Sequence, residues 1–354
     1  MPAETIKTPL TEMLKIKYPI LLAGMNGVSH SELAAAVSNA GGLGVIGGLS
    51  LSPKALQKEI TALKALLKDK NTPFGVDLAL PQIGGSARKT NHDYTHGHLP
   101  ELIDIIINEK ASVFVSAVGV PPGWAVEKLH KAGILCGNMV GAPHHAEKAI
   151  TAGMDFVIAQ GGEGGGHTGE IGTMVLIRQV LESCKGKVSK MTGKPIMVCA
   201  AGGIADGQAV AAALSLGAEA VWVGTRFICA TESASPKRHA EAVIKASALD
   251  TVKTLVVSGR PLRTYNSEYI KSWEGPRKAQ IQELCDKGIV PMQHDFAEAE
   301  KKGEPMSLAK AFPLLMGQCA GHIHEIKPAA AIIEEMMTDA IATIRKNERL
   351  ISKL

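Results

Sequence analysis

One histidine in a glycine-rich segment is the clearest candidate for chemistry in this sequence. His167 stands within Ala159–Thr173, which reads AQGGEGGGHTGEIGT. A histidine can act as a general base near neutral pH, and small neighbours let a flat cofactor and a substrate approach it closely. Two other roles stay open, a structural one within the loop and metal ligation. Glu163 and Glu170 give a metal little support, because no further ligand stands at suitable spacing, and we predict no metal site.

Two glycine-rich turns predict a site for a phosphate group. They are Cys199–Gly207, CAAGGIADG, and Val223–Phe227, VGTRF. Backbone N–H groups in such turns, with a helix N-terminus behind them, bind anions. The donors to the phosphate would be Gly202, Gly203, Gly224 and Thr225. The alternative is that these glycines only permit tight turns. No dinucleotide fingerprint or P-loop competes for the assignment.

The apolar pattern predicts the elements that must position these turns. Eight short apolar runs alternate with segments of helical periodicity, as in a parallel sheet covered by helices. The runs are Pro19–Leu22, Leu43–Ile46, Phe74–Leu78, Val113–Ser116, Ile134–Met139, Phe156–Gln160, Ile196–Cys199 and Ala220–Gly224. The pattern favours an α/β fold, a (β/α)8 TIM barrel whose ligand groups lie after the strands. An open doubly wound sheet is the alternative.

The alternation stops past Arg226. Residues 233–321 mix helical and irregular stretches, whereas Ala329–Lys346 is amphipathic and long enough to be the last barrel helix. We therefore predict that the barrel comprises residues 1–232 and 322–354 and that an inserted, mainly helical cap over 233–321 follows strand 8. Four cap residues could contact an acidic or CoA-like substrate or could have only a structural role at the surface: Arg260, Arg263, Tyr265 and Trp273.

Bulk composition excludes several classes of protein. The chain has 354 residues and a formal net charge of +4, with no basic block or aromatic platform, so we expect no nucleic-acid partner. No apolar stretch approaches the ~20 residues that span a bilayer, so we expect no membrane partner. The six scattered cysteines indicate a reducing compartment. The 37 glycines, many at predicted strand ends, indicate room for a flat cofactor.

The last three residues match a peroxisomal address. Ser352, Lys353 and Leu354 form the tripeptide that the peroxisomal import receptor reads in eukaryotes. We expect a peroxisomal protein if the source is eukaryotic and a cytoplasmic one otherwise. The sequence leaves the oligomeric state open, with a homodimer as one option.

Several motifs in order along the chain resemble those of the nitronate monooxygenase (2-nitropropane dioxygenase-like) family. They are Tyr18-Pro19-Ile20 followed by Ala23-Gly24-Met25, then NAGGLGVIGG, PFGVDL, QGGEGGGHTG, AAGGIADG and GTRF. The family consists of FMN-dependent barrel enzymes, and its broader group includes flavin-dependent enoyl-acyl-carrier-protein reductases and NADH:quinone reductases. The resemblance covers the chain from about Tyr18 to Phe227.

The resemblance also implies roles for individual residues. His167 would be the catalytic base, and the phosphate of FMN would lie on the two turns already described. The residues implied to contact the flavin are Ala23, Gly24, Met25, Asp77, Gln160, Gly161 and Gly166. Asp77 stands where many relatives have Asn, which would place a negative charge near the ring and disfavour the anionic reduced flavin.

The implied reaction is oxidation of an alkyl nitronate, or of a nitroalkane, with O2 to a carbonyl product and nitrite. His167 would remove the proton alpha to the nitro group or position a nitronate. An NAD(P)H-dependent flavin reductase of enoyl thioesters or quinones is one alternative. A flavin-free barrel that binds a phosphorylated ligand is another.

Overall fold

Eight parallel strands form a nearly closed barrel in the computed structural model, which describes residues 4–304, 307 and 311–351. Around the barrel the strands follow the order β1-β9-β8-β6-β5-β4-β3-β2. Their bounds are β1 Ile20–Leu22, β2 Gly44–Gly47, β3 Phe74–Ala79, β4 Val113–Ala117, β5 Leu135–Val140, β6 Phe156–Gln160, β8 Met197–Ala201 and β9 Ala220–Val223. A parallel bridge between Leu21 and Leu43 joins the two ends of this order. The predicted (β/α)8 barrel is therefore confirmed, with all eight strands at the predicted runs.

Helices connect the strands and cover the outside of the barrel. They are α2 Ser31–Asn39, α3 Pro53–Leu66, α4 Leu99–Asn108, α5 Gly123–Lys131, α6 Pro143–Thr151, α7 Thr173–Cys184 and α8 Gly207–Ser215. A last helix, α14 Ala329–Glu348, packs against α8 and α2 and completes the layer. Proline at the start of α3, α4 and α6 suits the first helical turn, where a missing N–H leaves no hydrogen bond unmade.

The barrel interior is a separate apolar cluster from the layer between strands and helices. Alternate residues of β6 divide between the two, with Phe156 and Ile158 inside and Val157 outside. Helix α1, Pro9–Leu14, contributes Leu10 to the interior cluster. The amphipathic pattern did not predict α1, because six residues are too few to show a helical period.

The segment after β9 contains helices and two strands. Its elements are α9 Thr225–Ile228, α10 Lys237–Lys245, β10 Thr251–Thr254, β11 Leu262–Tyr265, α11 Glu268–Glu274, α12 Lys278–Asp286 and α13 Pro291–Lys301. Part of it has a small apolar cluster of its own around Trp273, whereas Val243 of α10 joins the main core. The division of the chain at 233 and 321 stays a prediction.

A short strand links this segment to the barrel. β7, Gly166–His167, pairs with β11, which pairs in turn with β10, so that an antiparallel three-stranded sheet lies beside the loop after β6. Apolar runs did not predict this sheet, because β7 has two residues and its pairing is long-range. The loop that carries His167 is therefore held by the inserted segment.

A polar network closes the opposite end of the barrel. The buried carboxylate of Asp155 accepts hydrogen bonds from Ser189 Oγ at 2.5 Å and from the Cys136 amide at 2.7 Å, and it lies 3.1 Å from His130 Nε2. Among the described residues, His130, Cys136 and Asp155 are the group of three whose ligand atoms lie close enough for a metal ion. Because three donors already satisfy this carboxylate, the cluster is explained by packing at the amino ends of β5 and β6.

The predicted targeting signal lies at the extreme C-terminus. Ser352, Lys353 and Leu354 lie outside the described residues, so the peroxisomal address stays a prediction. Among the helices that are described, none is long and apolar enough to cross a membrane.

Candidate active site

The residues singled out from the sequence lie at the carboxyl ends of five strands. β1, β9, β8 and β6 are consecutive neighbours in the barrel, and β3 is separated from β1 by β2 alone. The predicted residues therefore lie around the barrel mouth from β3 through β1, β9 and β8 to β6. They are Ala23, Gly24 and Met25 after β1, Asp77 within β3, Gln160 and Gly161 at the end of β6, Gly166 and His167 in β7, Gly202 and Gly203 after β8, and Gly224 and Thr225 after β9.

The turn after β9 lies against the turn after β1. The Ala23 amide donates a hydrogen bond to Val223 O at 2.9 Å. A Cβ atom placed on Gly224 would lie 3.4 Å from Met25 Sδ and 3.5 Å from Ala23 Cβ. The structure thus brings Gly224 together with two of the residues that the resemblance places beside a flavin ring.

Four backbone N–H groups at the two phosphate-type turns have no partner. Among the described residues, none accepts a hydrogen bond from the amides of Gly202, Gly203, Gly224 and Thr225. Gly202 and Gly203 have φ of +89° and +77°, a conformation that favours glycine. A Cβ on Gly202 would also lie 2.9 Å from Gly161 O, so the turn after β8 packs closely on the loop after β6.

The Thr225 hydroxyl is already used within the protein. Its Oγ1 accepts a hydrogen bond from the Gly317 amide at 2.9 Å, and the side chain is buried. The backbone amide of Thr225 is therefore the group that could serve a phosphate, as the sequence analysis expected of a backbone donor.

A cavity of 410 Å³ borders the turn after β8. Gly202 and Gly203 line it together with Glu163, and helices α7 and α8 supply half of its other lining residues. The Glu163 carboxylate accepts hydrogen bonds from the Thr173 amide at 2.9 Å, which fixes the start of α7. Because His167 and Asp77 do not line this cavity, it borders one edge of the candidate site only.

Asp77 is a buried carboxyl group without a hydrogen bond at Oδ1. Its side chain lies beside Gly24, where a Cβ atom would come within 2.4 Å of Oδ2. Burial raises the pKa of Asp77 from 3.8 to about 8. The expectation of a negative charge at this position is therefore modified, since burial favours the neutral acid at pH 7.

His167 is held from both sides of its loop. Its carbonyl accepts a hydrogen bond from Gln160 Nε2 at 2.7 Å, and its own Nε2 lies 2.9 Å from Ser258 Oγ of the inserted segment. Burial and, to a smaller extent, the nearby Arg260 charge lower the pKa of His167 to about 4. The imidazole is therefore neutral at physiological pH.

Sequence reasoning missed the partner of the histidine. Ser258 lies in an irregular stretch between β10 and β11, 91 residues from His167, and no motif marks it. The nearest signal in the sequence is the cluster GRPLRTY that follows it, which contains Arg260 and Arg263 but does not indicate a different role for each. In the structure Arg263 donates through Nε to Gly162 O at 3.0 Å, whereas Arg260 reaches the loops after β3 and β4.

Comparison with known proteins agrees with this arrangement of elements. The nitronate monooxygenase family profile matches residues 7–339. A protein named "Probable nitronate monooxygenase" from Staphylococcus saprophyticus is 34% identical over 75% of this chain and 80% of its own length. An octahydroindene carboxyl-CoA dehydrogenase from Rhodococcus jostii is 36% identical over 76% of this chain and 69% of its own length.

Solved structures with a similar fold align with nearly the whole of this chain. FabK from Thermotoga maritima superposes with a TM-score of 0.79 at 34% identity, covering 98% of this chain and 100% of its own. The nitroalkane oxidase from Streptomyces ansochromogenes has a TM-score of 0.77 at 27% identity, covering 95% and 99%. The chain therefore belongs to the nitronate monooxygenase family and is an oxidoreductase built on a (β/α)8 barrel.

Proposed function

We propose that this enzyme uses FMN to oxidise alkyl nitronates with O2, giving a carbonyl product and nitrite. The observation that carries the proposal is the set of unpartnered amides at Gly202, Gly203, Gly224 and Thr225, on two neighbouring strand ends. Gly202 and Gly224 are half-buried and Thr225 is buried. N–H groups in such positions are rarely left unpaired in proteins, so a ligand with several acceptor oxygens fits this set. Membership of the family supports nitronates as the substrate class.

The residues present fit FMN. Its phosphate would be held by the four amides, and its ring would lie against Ala23, Gly24 and Met25 beside the neutral Asp77. When bound, FMN would supply the redox chemistry, taking electrons from the substrate and passing them to O2. The protein supplies the binding groups, the orientation of the substrate and the control of protons.

His167 is the group that would move the substrate proton. Its Nε2 faces Ser258 Oγ, which also lies 3.5 Å from the Arg260 carbonyl. If Ser258 donates to that carbonyl, it accepts from Nε2–H, which leaves Nδ1 unprotonated and able to accept a proton. With a neutral nitroalkane His167 removes the alpha proton, and with a preformed nitronate it orients the anion.

A second candidate function is supported by the Rhodococcus relative, whose name describes a dehydrogenase of a carboxyl-CoA. The second candidate is NAD(P)H-dependent reduction of an enoyl thioester or a quinone on the same flavin site, and the relative's name supports it only in the CoA thioester as a substrate class. One anaerobic screen separates the two candidates. Bleaching of the flavin spectrum by propionate 3-nitronate supports nitronate oxidation, and rapid bleaching by NADH or NADPH with none by the nitronate supports the reductase.

The flavin itself is tested first. Freshly purified protein should show flavin absorption bands, and denaturation should release FMN. Absence of both would contradict the two flavin-dependent functions and leave a flavin-free barrel that binds another phosphorylated ligand. The same preparations give the oligomeric state by light scattering, where a homodimer remains one option.

A further inference from the structure

Arg260 reaches from the inserted segment to the barrel mouth. Its NH1 group donates to Asn91 Oδ1 at 2.9 Å and its NH2 group to Val118 O at 3.1 Å. Asn91 follows β3 and Val118 follows β4, so the guanidinium lies on the opposite side of the mouth from the turns after β8 and β9. Val118 has φ of +71°, which is strained for a β-branched residue. Such strain is typical of functional sites.

The charge of Arg260 is not balanced within the described part of the chain. No carboxylate there lies within 4.0 Å of its guanidinium. A guanidinium carries five N–H donors, and the two hydrogen bonds to Asn91 and Val118 leave three of them unused. The side chain is half-buried, and burying an unpaired charge is costly. A bound anion would remove that cost.

Other arginines of the inserted segment are accounted for. Arg277 makes a bidentate ion pair with Asp295, with N–O distances of 2.7 and 2.8 Å. Arg263 donates to Gly162 O and to Thr251 Oγ1, both at 3.0 Å, and is buried. The contrast singles out Arg260 as the arginine whose position at the mouth has no explanation in the packing of the segment.

The surroundings of Arg260 add positive charge and one further donor. Burial and, after it, the nearby Arg88 charge lower the pKa of Arg260. Burial also lowers the pKa of His145, and the Arg260 charge contributes to that shift. The Tyr94 side chain is half-buried, and burial raises its pKa above the usual range, so its hydroxyl stays protonated. No described residue hydrogen-bonds to that hydroxyl.

We propose that Arg260 and Tyr94 form a subsite for a carboxylate carried by the substrate away from the carbon that is oxidised. The inference rests on the proposed nitronate oxidation for the identity of the reacting carbon. A guanidinium fork matches the two oxygens of a carboxylate, and a phenol O–H supplies a third donor. Because His167 stands after β6 and Arg260 is anchored above β3 and β4, the two anionic ends of such a substrate lie apart.

The test compares two nitronates of equal carbon number, propionate 3-nitronate with a carboxylate and propyl 1-nitronate without one. Arg260→Gln should lower kcat/KM for the first by about 10- to 100-fold, mainly through KM, the loss typical of a charged hydrogen bond. The same variant should change kcat/KM for the second by less than threefold. Arg88→Gln removes an exposed arginine near Arg260. The ratio of kcat/KM for the two nitronates should stay near the wild-type ratio in this variant.

Binding of succinate tests the subsite without turnover. Calorimetric titration should show that succinate binds to the wild type and to Arg88→Gln with similar affinity. Its binding to Arg260→Gln should be weaker by about tenfold or more. Succinamide, the neutral diamide of succinate, should bind to none of these proteins. An equal loss of kcat/KM for both nitronates in Arg260→Gln, or an unchanged affinity of this variant for succinate, would overturn the proposed subsite. If the wild type oxidises neither nitronate, the proposed function is wrong, while the succinate titration still decides the subsite.

Two further variants test the subsite in case Arg260→Gln misfolds. Arg260→Lys keeps the charge but not the fork, and Tyr94→Phe keeps the ring but not the donor. Each should weaken succinate binding by about three- to tenfold, as expected for one neutral or one poorly aligned hydrogen bond, with unchanged FMN content. Wild-type affinity in both variants would contradict the proposal.

Discussion

Burial keeps the His167 imidazole neutral, and this determines which substrates need it. With a pKa of about 4, lowered by burial and by Arg260, the ring is neutral at pH 6 to 8, and its unprotonated nitrogen can accept a proton throughout that range. A neutral nitroalkane requires removal of its alpha proton, whereas a nitronate has already lost it. His167 therefore matters far more to the first substrate than to the second.

We predict that His167→Gln lowers kcat/KM for nitroethane by about 10²- to 10⁴-fold, the range of general base catalysis, and for ethyl nitronate by less than tenfold. Steady-state assays with both substrates measure this. The wild-type kcat/KM for nitroethane should be flat from pH 6 to 8. Ser258→Ala is the matched control, since it removes the hydrogen-bond partner at 2.9 Å and leaves the imidazole in place. Full nitroethane activity in His167→Gln with normal FMN content would contradict the role of a base.

Asp77 shows the opposite effect of burial on charge. Its pKa is raised from 3.8 to about 8 by burial, so the folded protein holds a proton that the unfolded chain releases. The stability that this proton contributes is fully present below pH 3.8 and is lost as pH rises through about 8. At pH 7 the group is a neutral donor beside Gly24, which suits a ring with acceptor atoms better than a carboxylate would.

Asp77→Asn should therefore remove part of the pH dependence of folding stability without breaking a contact. We expect the thermal midpoint of the wild type to fall by about 3–6 °C more than that of Asp77→Asn between pH 6 and 9, on the scale of a few kcal/mol in a large domain. Differential scanning fluorimetry across this pH range measures the difference. Asp286→Asn, at an exposed position, should follow the wild type. Parallel pH curves for all three proteins would show that Asp77 is ionised.

At the scale of elements, the turns after β8 and β9 depend on glycine for different reasons. Gly202 needs its positive φ and its closeness to Gly161, so a side chain there strains the fold itself. Gly224 has φ of −109°, and a Cβ on it would meet Met25 Sδ and Ala23 Cβ at ordinary contact distances of 3.4 and 3.5 Å. The fold therefore tolerates alanine at Gly224, while the added methyl group enters the space assigned to the flavin.

Gly224→Ala is expected to separate folding from cofactor binding. Its thermal midpoint without FMN should lie within about 2 °C of the wild type, since ordinary contacts cost little, whereas its dissociation constant for FMN should rise by about tenfold or more, equivalent to ~1.4 kcal/mol. Fluorescence titration of FMN measures the second quantity. Gly123→Ala, in open space at the start of α5, should change neither by a comparable amount. Wild-type FMN affinity in Gly224→Ala would remove this turn from the binding site.

The eight strands could be predicted because each is a short continuous apolar run, such as Phe156–Gln160, with a local signal. The sheet formed by β7, β10 and β11 could not, because Gly166 and Arg263 are paired across the chain and two-residue strands carry no period. For the same reason the sequence predicts His167 and the phosphate turns but not Ser258. The sequence also gives no reason to distinguish Arg260 from Arg263, since only the fold shows that Arg263 is buried.

At the scale of the whole molecule, one carboxylate joins the helices of the inserted segment. Asp295 of α13 accepts hydrogen bonds from Tyr269 and Trp273 of α11, at 3.1 and 3.0 Å, and pairs with Arg277. Arg277 also stacks on the Trp273 ring at 3.3 Å. The Arg277 charge and the hydrogen bonds hold the pKa of Asp295 below its usual range, so this stabilisation is present near neutral pH and is lost on acidification.

Asp295→Asn tests whether residues 233–321 behave as a domain. Loss of the charged pair should destabilise this segment by about 2 kcal/mol, the scale of hydrogen bonds to charged groups. Glu298→Gln is the control, because its exposed pair with Lys301 on the same helix is screened by solvent and contributes little to stability. Hydrogen exchange should quicken in α11 to α13 while the barrel strands and the FMN content stay unchanged. Equal loss of protection in β8 and β9 would mean that the barrel and the inserted segment unfold as one unit and that the predicted division at 233 and 321 is wrong.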